Sequence, residues 1–171
     1  VSFASFGSGS SAHLMGEELN RKSGVTLLHV PYKTVATTDL LGGVVDSMIS
    51  DIGSIKELLR PPAKLRVLAM TGEQRNRDCT DVPTFTEQGY PTLDPMVGWI
   101  GIFAPVGTPD ATVTRLAADL GQIVTGADWR DIVQNFGYEP SGLSGAALRK
   151  FLQDDFARWG AMAKAANVEL Q

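Results

Sequence analysis

Apolar and polar positions along this chain follow two different rhythms, and the rhythm changes near Trp99. Before Trp99, short apolar runs rich in β-branched residues alternate with stretches of helical spacing. Val1 to Phe6 is apolar and aromatic and runs into Gly7-Ser8-Gly9-Ser10-Ser11, which predicts the end of a strand followed by a loop. Helical spacing follows from His13 to Arg21, with Ser10 or Ser11 as the N-cap and Gly24 as the terminating glycine. Val25 to Val30 predicts a buried strand ended by Pro31. Thr37-Thr38-Asp39 predicts the cap of a short helix through Leu41. Val44 to Ile52 predicts a strand or strand-turn, Ile55 to Leu59 a helical turn halted by Pro61-Pro62, and Leu65 to Met70 another strand. The order β-α-β-α-β-α-β predicts an α/β layer architecture with parallel pairing.

Thr71 to Pro95 is punctuated by Gly and Pro and predicts loop, with a helical turn near Thr84 to Gln88. Trp99 to Ala104 predicts a strand and Pro105 to Pro109 a turn into helices. Ala111 to Val124 carries the apolar face Val113, Leu116, Ala117, Leu120, Val124. Trp129 to Phe136 carries Trp129, Ile132, Val133, Phe136, and Leu148 to Ala166 carries Leu148, Phe151, Leu152, Phe156, Trp159, Met162. By this spacing Trp99, Trp129 and Trp159 are expected in the core. The seam divides the chain into an α/β part, 1–98, and a strand-plus-helices part, 99–171.

Composition excludes several function classes. The 171 residues are 43% hydrophobic and 20% charged, an ordinary globular balance. The net charge is −4 and the basic residues are scattered, so there is no basic stripe for nucleic acid and no polybasic helix for a membrane surface. No run reaches the about 18 apolar residues of a membrane span. The single cysteine, Cys79, sits in the polar run Arg75 to Asp81, read as loop, and excludes an internal disulfide or a cysteine-based zinc cluster. The chain opens Val1-Ser2-Phe3-Ala4, without initiator Met or signal peptide, and is expected to start inside a longer protein.

Three strand-end loops carry the candidate chemistry. In Ser5 to Leu14, a strand feeds a Gly/Ser loop into a helix N-terminus. Backbone N–H groups converge there, the helix dipole adds positive charge, and serine hydroxyls add donors, which suits a carboxylate or phosphate. A capped helix after a flexible turn gives the same letters. The loop is not a Walker loop, since no Gly-Lys-Ser/Thr follows. His29-Val30-Pro31-Tyr32-Lys33 lies at the C-terminal end of a strand, where open α/β sheets place ligands, and offers a hydroxyl and a cation; a solvated loop is the alternative. At Asp51-Ile52-Gly53-Ser54, Asp51 can accept from a ligand or cap the next helix. His13 and His29 stand at no metal-ligand spacing, and neither a nucleophile elbow nor a nucleophile–base pair is visible. The expectation is therefore a binding protein with no catalytic residues, no metal and no cofactor. The candidate ligand-binding residues are Ser5, Gly7, Ser8, Gly9, Ser10, Ser11, Tyr32 and Asp51.

Six stretches in order resemble the tripartite tricarboxylate transporter receptors, also called the Bug family of periplasmic binding proteins. They are Ser5-x-Gly7-x-Gly9-Ser10-x-x-His13-Leu14, His29 to Lys33, Asp39-Leu40-Leu41-Gly42-Gly43-x-x-Asp46, Lys64-Leu65-Arg66-x-Leu68-Ala69, Asp81-Val82-Pro83-Thr84-Phe85-x-Glu87-x-Gly89, and Trp99-x-Gly101-x-Phe103-Ala104-Pro105-x-Gly107-Thr108-Pro109. The resemblance implies a two-lobed Venus-flytrap receptor in the periplasm of a Gram-negative bacterium. Such a receptor captures a di- or tricarboxylate, amino acid or aromatic acid and delivers it to membrane permease subunits. A ligand-sensing role, or less readily an enzyme using the Gly/Ser loop, would share these residues. The resemblance further implies that 1–98 is the second lobe and that 99–171 returns to a first lobe that the chain lacks. The uncovered helical faces are then expected to drive self-association. Thr34 stands where the family has Gly.

Overall fold

The computed structural model describes residues 1–77 and 79–168; Asp78, in the run read as loop, and the last three positions lie outside them. The elements are β1 (Ser2–Ser5), α1 (Ser11–Ser23), β2 (Leu28–Pro31), α2 (Thr37–Leu41), β3 (Ser47–Met48), α3 (Ile52–Leu59), α4 (Asp110–Thr125), α5 (Ala127–Asn135) and α6 (Gly145–Ala165). They fall into two compact units. One is Val1–Gly98 with the chain from Arg158 onward, and the other is Trp99–Ala157.

The first unit is built on a parallel sheet of order β2-β1-β3. Phe3 pairs with His29 and Ser5 with Pro31 on one side, and Ala4 pairs with Met48 on the other. β1 is the middle strand, so its apolar residues are enclosed: Phe3 and Ala4 are buried. The α/β class with parallel pairing is as the alternation predicts. Two strands are shorter than their apolar runs, and Leu65 to Met70 is not a strand. Met70 instead makes a single parallel bridge to Thr84, with Met70 N–H on the Pro83 carbonyl at 3.0 Å. An apolar run becomes a strand only where a ladder partner exists, and β2 and β3 end the sheet without one for it.

α1 is fixed at both ends by local chemistry. The Ser10 side chain accepts from His13 N–H, and Gly24 adopts φ 71 and donates to the Asn20 carbonyl. Arg21 and Lys22 complement the dipole in the last turn. The helix lies directly on β1 at Gly16, where a Cβ would sit 2.2 Å from the Phe3 ring. Buried Glu18 is held by a two-pronged bond from Arg21, at 2.8 Å on each oxygen. The expected Thr37-Thr38-Asp39 cap is absent: α2 starts at an Ala36 cap without a side-chain bond. The predicted turn at Thr84 forms as a capping box. Thr84 N–H donates to Glu87 Oε2 at 2.7 Å, and Glu87 N–H donates to Thr84 Oγ1 at 3.3 Å. The core joins Leu14, Leu93 and Met96 to Met162 and Ala163 of α6, with Trp159 packed beside them. A second cluster gathers Ala4, Ala36 and Val45.

The three predicted C-terminal helices form, α4 and α5 within the second unit, but Trp99 to Ala104 carries no strand. It has no ladder neighbour among the described residues, and Ile100, Ile102 and Phe103 are exposed. α4 and α5 bury no residue. Trp99 and Trp129 are exposed rather than core, together with Val113, Leu116, Ile123, Ile132 and Phe136, and Phe156 is 83% exposed. Only Trp159 of the three tryptophans meets the expected packing. Trp99 keeps local partners: Nε1–H donates to Asp155 Oδ2 at 2.9 Å, and its ring meets Phe151 edge-on.

Candidate functional site

Parallel strands deliver their following loops to one edge of the sheet. Tyr32 N–H donates to the Ser5 carbonyl at 3.0 Å and Ile49 N–H to the Ala4 carbonyl at 3.2 Å. These bonds extend the pairing just past the strand ends. The Gly/Ser loop after β1 therefore lies between the Tyr32 loop after β2 and the Ser50-Asp51 segment after β3, as the strand order requires.

The Gly/Ser loop is folded by its own polar groups. Gly7 has φ 116 and Gly9 φ 78, so the chain turns through conformations that side chains disfavour. Gly7 N–H donates to Ser5 Oγ at 3.1 Å, and the Ser10 hydroxyl donates to the Gly7 carbonyl at 2.7 Å. Gly9 N–H donates to His13 Nδ1 at 3.0 Å. The N–H groups of Ser8, Ser11 and Ala12 make no hydrogen bond among the described residues. Those three amides, the exposed hydroxyls of Ser8 and Ser11, and the positive end of α1 form a donor set of the kind a carboxylate needs. Ser5 is buried and Ser10 caps the helix, so these two shape the loop from beneath.

The other two candidates are engaged internally. The Tyr32 hydroxyl donates to Asp39 Oδ2 at 2.7 Å, a bond that raises its pKa. Asp51 caps α3, with Oδ1 accepting from Ser54 N–H at 2.9 Å and Oδ2 from the Ser54 hydroxyl at 2.8 Å. Ser50 Oγ, beside it, is buried without a hydrogen bond among the described residues. Two shallow cavities, of about 350 and 460 Å³, lie apart from the Gly/Ser loop. Glu17, Glu18 and Arg21 line the first and Glu73, Arg75, Glu87 and Asp94 the second, and the excess of carboxylates in each makes both poor hosts for an anion.

Sequence reading found no partner for either histidine. The structure stacks them, with centroids 3.8 Å apart and ring planes at 11°. His29 Nε2 lies 2.6 Å from Ser5 Oγ, so a serine–histidine contact exists that the sequence did not reveal. The signal was the register: Phe3 pairs with His29, which puts His29 on the Phe3 and Ser5 face, and α1 lays His13 over that face. Burial, with a smaller contribution from His13, pulls the His29 pKa down to about 4. The unfolded chain then takes up this proton at a higher pH than the folded chain does. The contribution to stability is complete above pH 6.5 and is lost as pH falls towards 4. After discounting for partial exposure it is about 1–2 kcal/mol. Thermal melts between pH 7 and 4 should show the loss, and His29→Gln should remove that part of the slope.

The first unit is an open α/β unit with a parallel three-stranded sheet and a Gly/Ser loop between its first strand and α1. Residues 1–168 match the tripartite tricarboxylate transporter family receptor. A relative from Pseudomonas sp. (strain P51), the UPF0065 protein in the tcbD-tcbE intergenic region, is 33% identical over 162 residues, covering 93% of this chain and 48% of its own length. R. palustris Rpa4515, solved with adipate, superposes with a TM-score of 0.84 at 29% identity, covering 98% of this chain and 56% of that one. MatC (Rpa3494) from Rhodopseudomonas palustris, solved with bound malate, gives a TM-score of 0.73 at 27% identity, covering 95% and 56%. The chain belongs to the tripartite tricarboxylate transporter receptor family. It spans 48% of the length of the Pseudomonas relative and 56% of the Rpa4515 chain.

Proposed function

We propose that this chain carries the second-lobe half of a periplasmic solute receptor. The whole receptor closes on a small carboxylate and presents it to the permease subunits of a tripartite transporter. The observation that carries this reading is the donor set at the N-terminus of α1, on the sheet edge where ligands of open α/β folds bind. Membership of a receptor family supports it, as do the adipate and malate of two structural neighbours. Both are dicarboxylates, so the Gly/Ser loop would take one carboxylate while the other half of the clamp takes the rest. Among the described residues no helix is long and apolar enough to cross a membrane.

The Ser5–His29 contact does not turn the lobe into an enzyme. Ser5 is 3% exposed and its oxygen already accepts Gly7 N–H, so it cannot meet a substrate carbonyl. The proteins of this family are solute receptors. Residues 1–98 form the second lobe in this reading, and Trp99 begins the return towards the first. Because one lobe encloses a ligand on one side only, affinity is expected to be weak. Thermal-shift titrations with malate and adipate test this on the chain alone and on a chain carrying a relative's first-lobe segment. A shift confined to the two-lobed protein supports the clamp; equal shifts in both contradict it.

The exposed apolar faces of α4 and α5 lead to a further expectation. Apolar surface on this scale is normally covered, and at high concentration a second copy covers it. Size-exclusion chromatography with light scattering should show association that Trp129→Glu and Ile132→Glu together reduce. A stable monomer with an ordinary cooperative melt would contradict it.

A further inference from the structure

Trp99 to Ala104 has the shape of a strand and nothing to pair with. The backbone runs from Val97 to Ala104 without a turn or bend, and none of its N–H or carbonyl groups makes a hydrogen bond among the described residues. The Trp99 and Phe103 rings lie 6.2 Å apart, and a Cβ at Gly101 would stand 3.3 Å from the first and 3.1 Å from the second. Trp99, Gly101 and Phe103 therefore share a side, as the period of two in an extended chain requires. Ile100 and Ile102 fall on the opposite side, 81% and 73% exposed. The Trp99 bond to buried Asp155 and its edge contact with Phe151 hold the segment against α6. We propose that two copies of the chain join by antiparallel pairing of this segment about a two-fold axis at Gly101. The proposal rests on the self-association reading and gives it a mode.

The order of the residues selects a second copy as the occupant. Trp99-Ile100-Gly101-Ile102-Phe103 reads aromatic, Ile, Gly, Ile, aromatic in either direction. Antiparallel pairing centred on Gly101 sets Ile100 of one copy opposite Ile102 of the other, and Trp99 opposite Phe103. Each side of the strand then meets its own kind, and the contact closes as a dimer. A partner with any other sequence would lose this match.

Charge and area agree with the same occupant. No charged residue stands from Pro95 to Pro109, so identical segments do not repel. No proline stands from Met96 to Ala104 either, and the segment lacks the devices that keep strand edges apart. Trp99, Phe103, Trp129, Phe136 and Phe156 of the second unit leave close to three aromatic side chains' worth of surface exposed, about 400–700 Å². Ile100 and Ile102 bring this near the about 800 Å² per partner that a dimer of standard size buries.

The test is disulfide trapping on the chain carrying Cys79→Ser, which removes its one natural thiol. Residues directly opposed in an antiparallel pair stand about 4.5–5.5 Å apart at Cα, within reach of a disulfide. Ile100→Cys mixed with Ile102→Cys is expected to give a covalent dimer on mild oxidation, at concentrations where light scattering shows association. Either variant alone is expected to give little. Ile102→Lys is expected to weaken association at least about tenfold. Its helix content by circular dichroism should not change, because Ile102 supports no core. Trapping of either cysteine variant alone as strong as that of the mixture overturns the pairing about Gly101. So does association without trapping, or association indifferent to Ile102→Lys, and in these cases self-association stands through another surface. A monomer at every concentration overturns both.

Discussion

Phe3→Ala is expected to cost the first compact unit about 3–5 kcal/mol, the range for removing a fully buried phenylalanine. Phe3 is 1% exposed on the middle strand, with the His29 ring 5.0 Å away on one side and Gly16 of α1 against the other. Truncation removes the surface on which α1 sits, and the gap is closed on several sides, so collapse recovers little. Urea denaturation measures the loss. Gly16→Ala tests the same contact in the opposite sense. Its new methyl would lie 2.2 Å from the Phe3 ring, an overpacking worth about 1–3 kcal/mol. In the double variant the methyl enters space that Phe3 has vacated, so the combined loss should be clearly less than the sum. Additive losses would mean that α1 does not rest on Phe3.

Gly7→Val should lower carboxylate affinity at least about tenfold, which corresponds to about 1.4 kcal/mol. At φ 116 a β-branched side chain is strained by about 1–3 kcal/mol, and the loop relieves that strain by turning its amides away. A Cβ there would have ordinary room, 3.6 Å from the Tyr32 carbonyl, so the effect arises from backbone conformation and not from collision. The loop lies at the sheet edge, outside the main core cluster, and the melting temperature should change much less than the affinity. Calorimetry with malate gives the affinity. An unchanged value would remove the Gly/Ser loop from the ligand site.

The sequence made the local chemistry legible and left the pairing obscure. Ser10 as cap and Gly24 as terminator are properties of a few adjacent residues, and α1 forms between them as expected. The three C-terminal helices follow from their periodicity. Leu65 to Met70 and Trp99 to Ala104 fail as strands because a strand is a relation between two segments, and an apolar run does not name its partner. The expected burial of Trp99 and Trp129 fails for a related reason: an apolar pattern shows that a face is apolar, not whether anything covers it. At the site, the Gly/Ser letters suggested free amides. They could not show that Ser5 and His13 already hold those of Gly7 and Gly9. His13 and His29 are 16 positions apart, and only the parallel register and the seating of α1 on β1 stack them.

The most direct test of the central claim is an amide NMR titration of the chain with malate and adipate up to millimolar concentration. Shifts concentrated from Gly7 to Ala12, with a smaller response at Tyr32, are predicted for a carboxylate seated at the N-terminus of α1. The absence of any shift, or shifts centred elsewhere in the chain, would contradict the assignment of the Gly/Ser loop as the carboxylate-binding element.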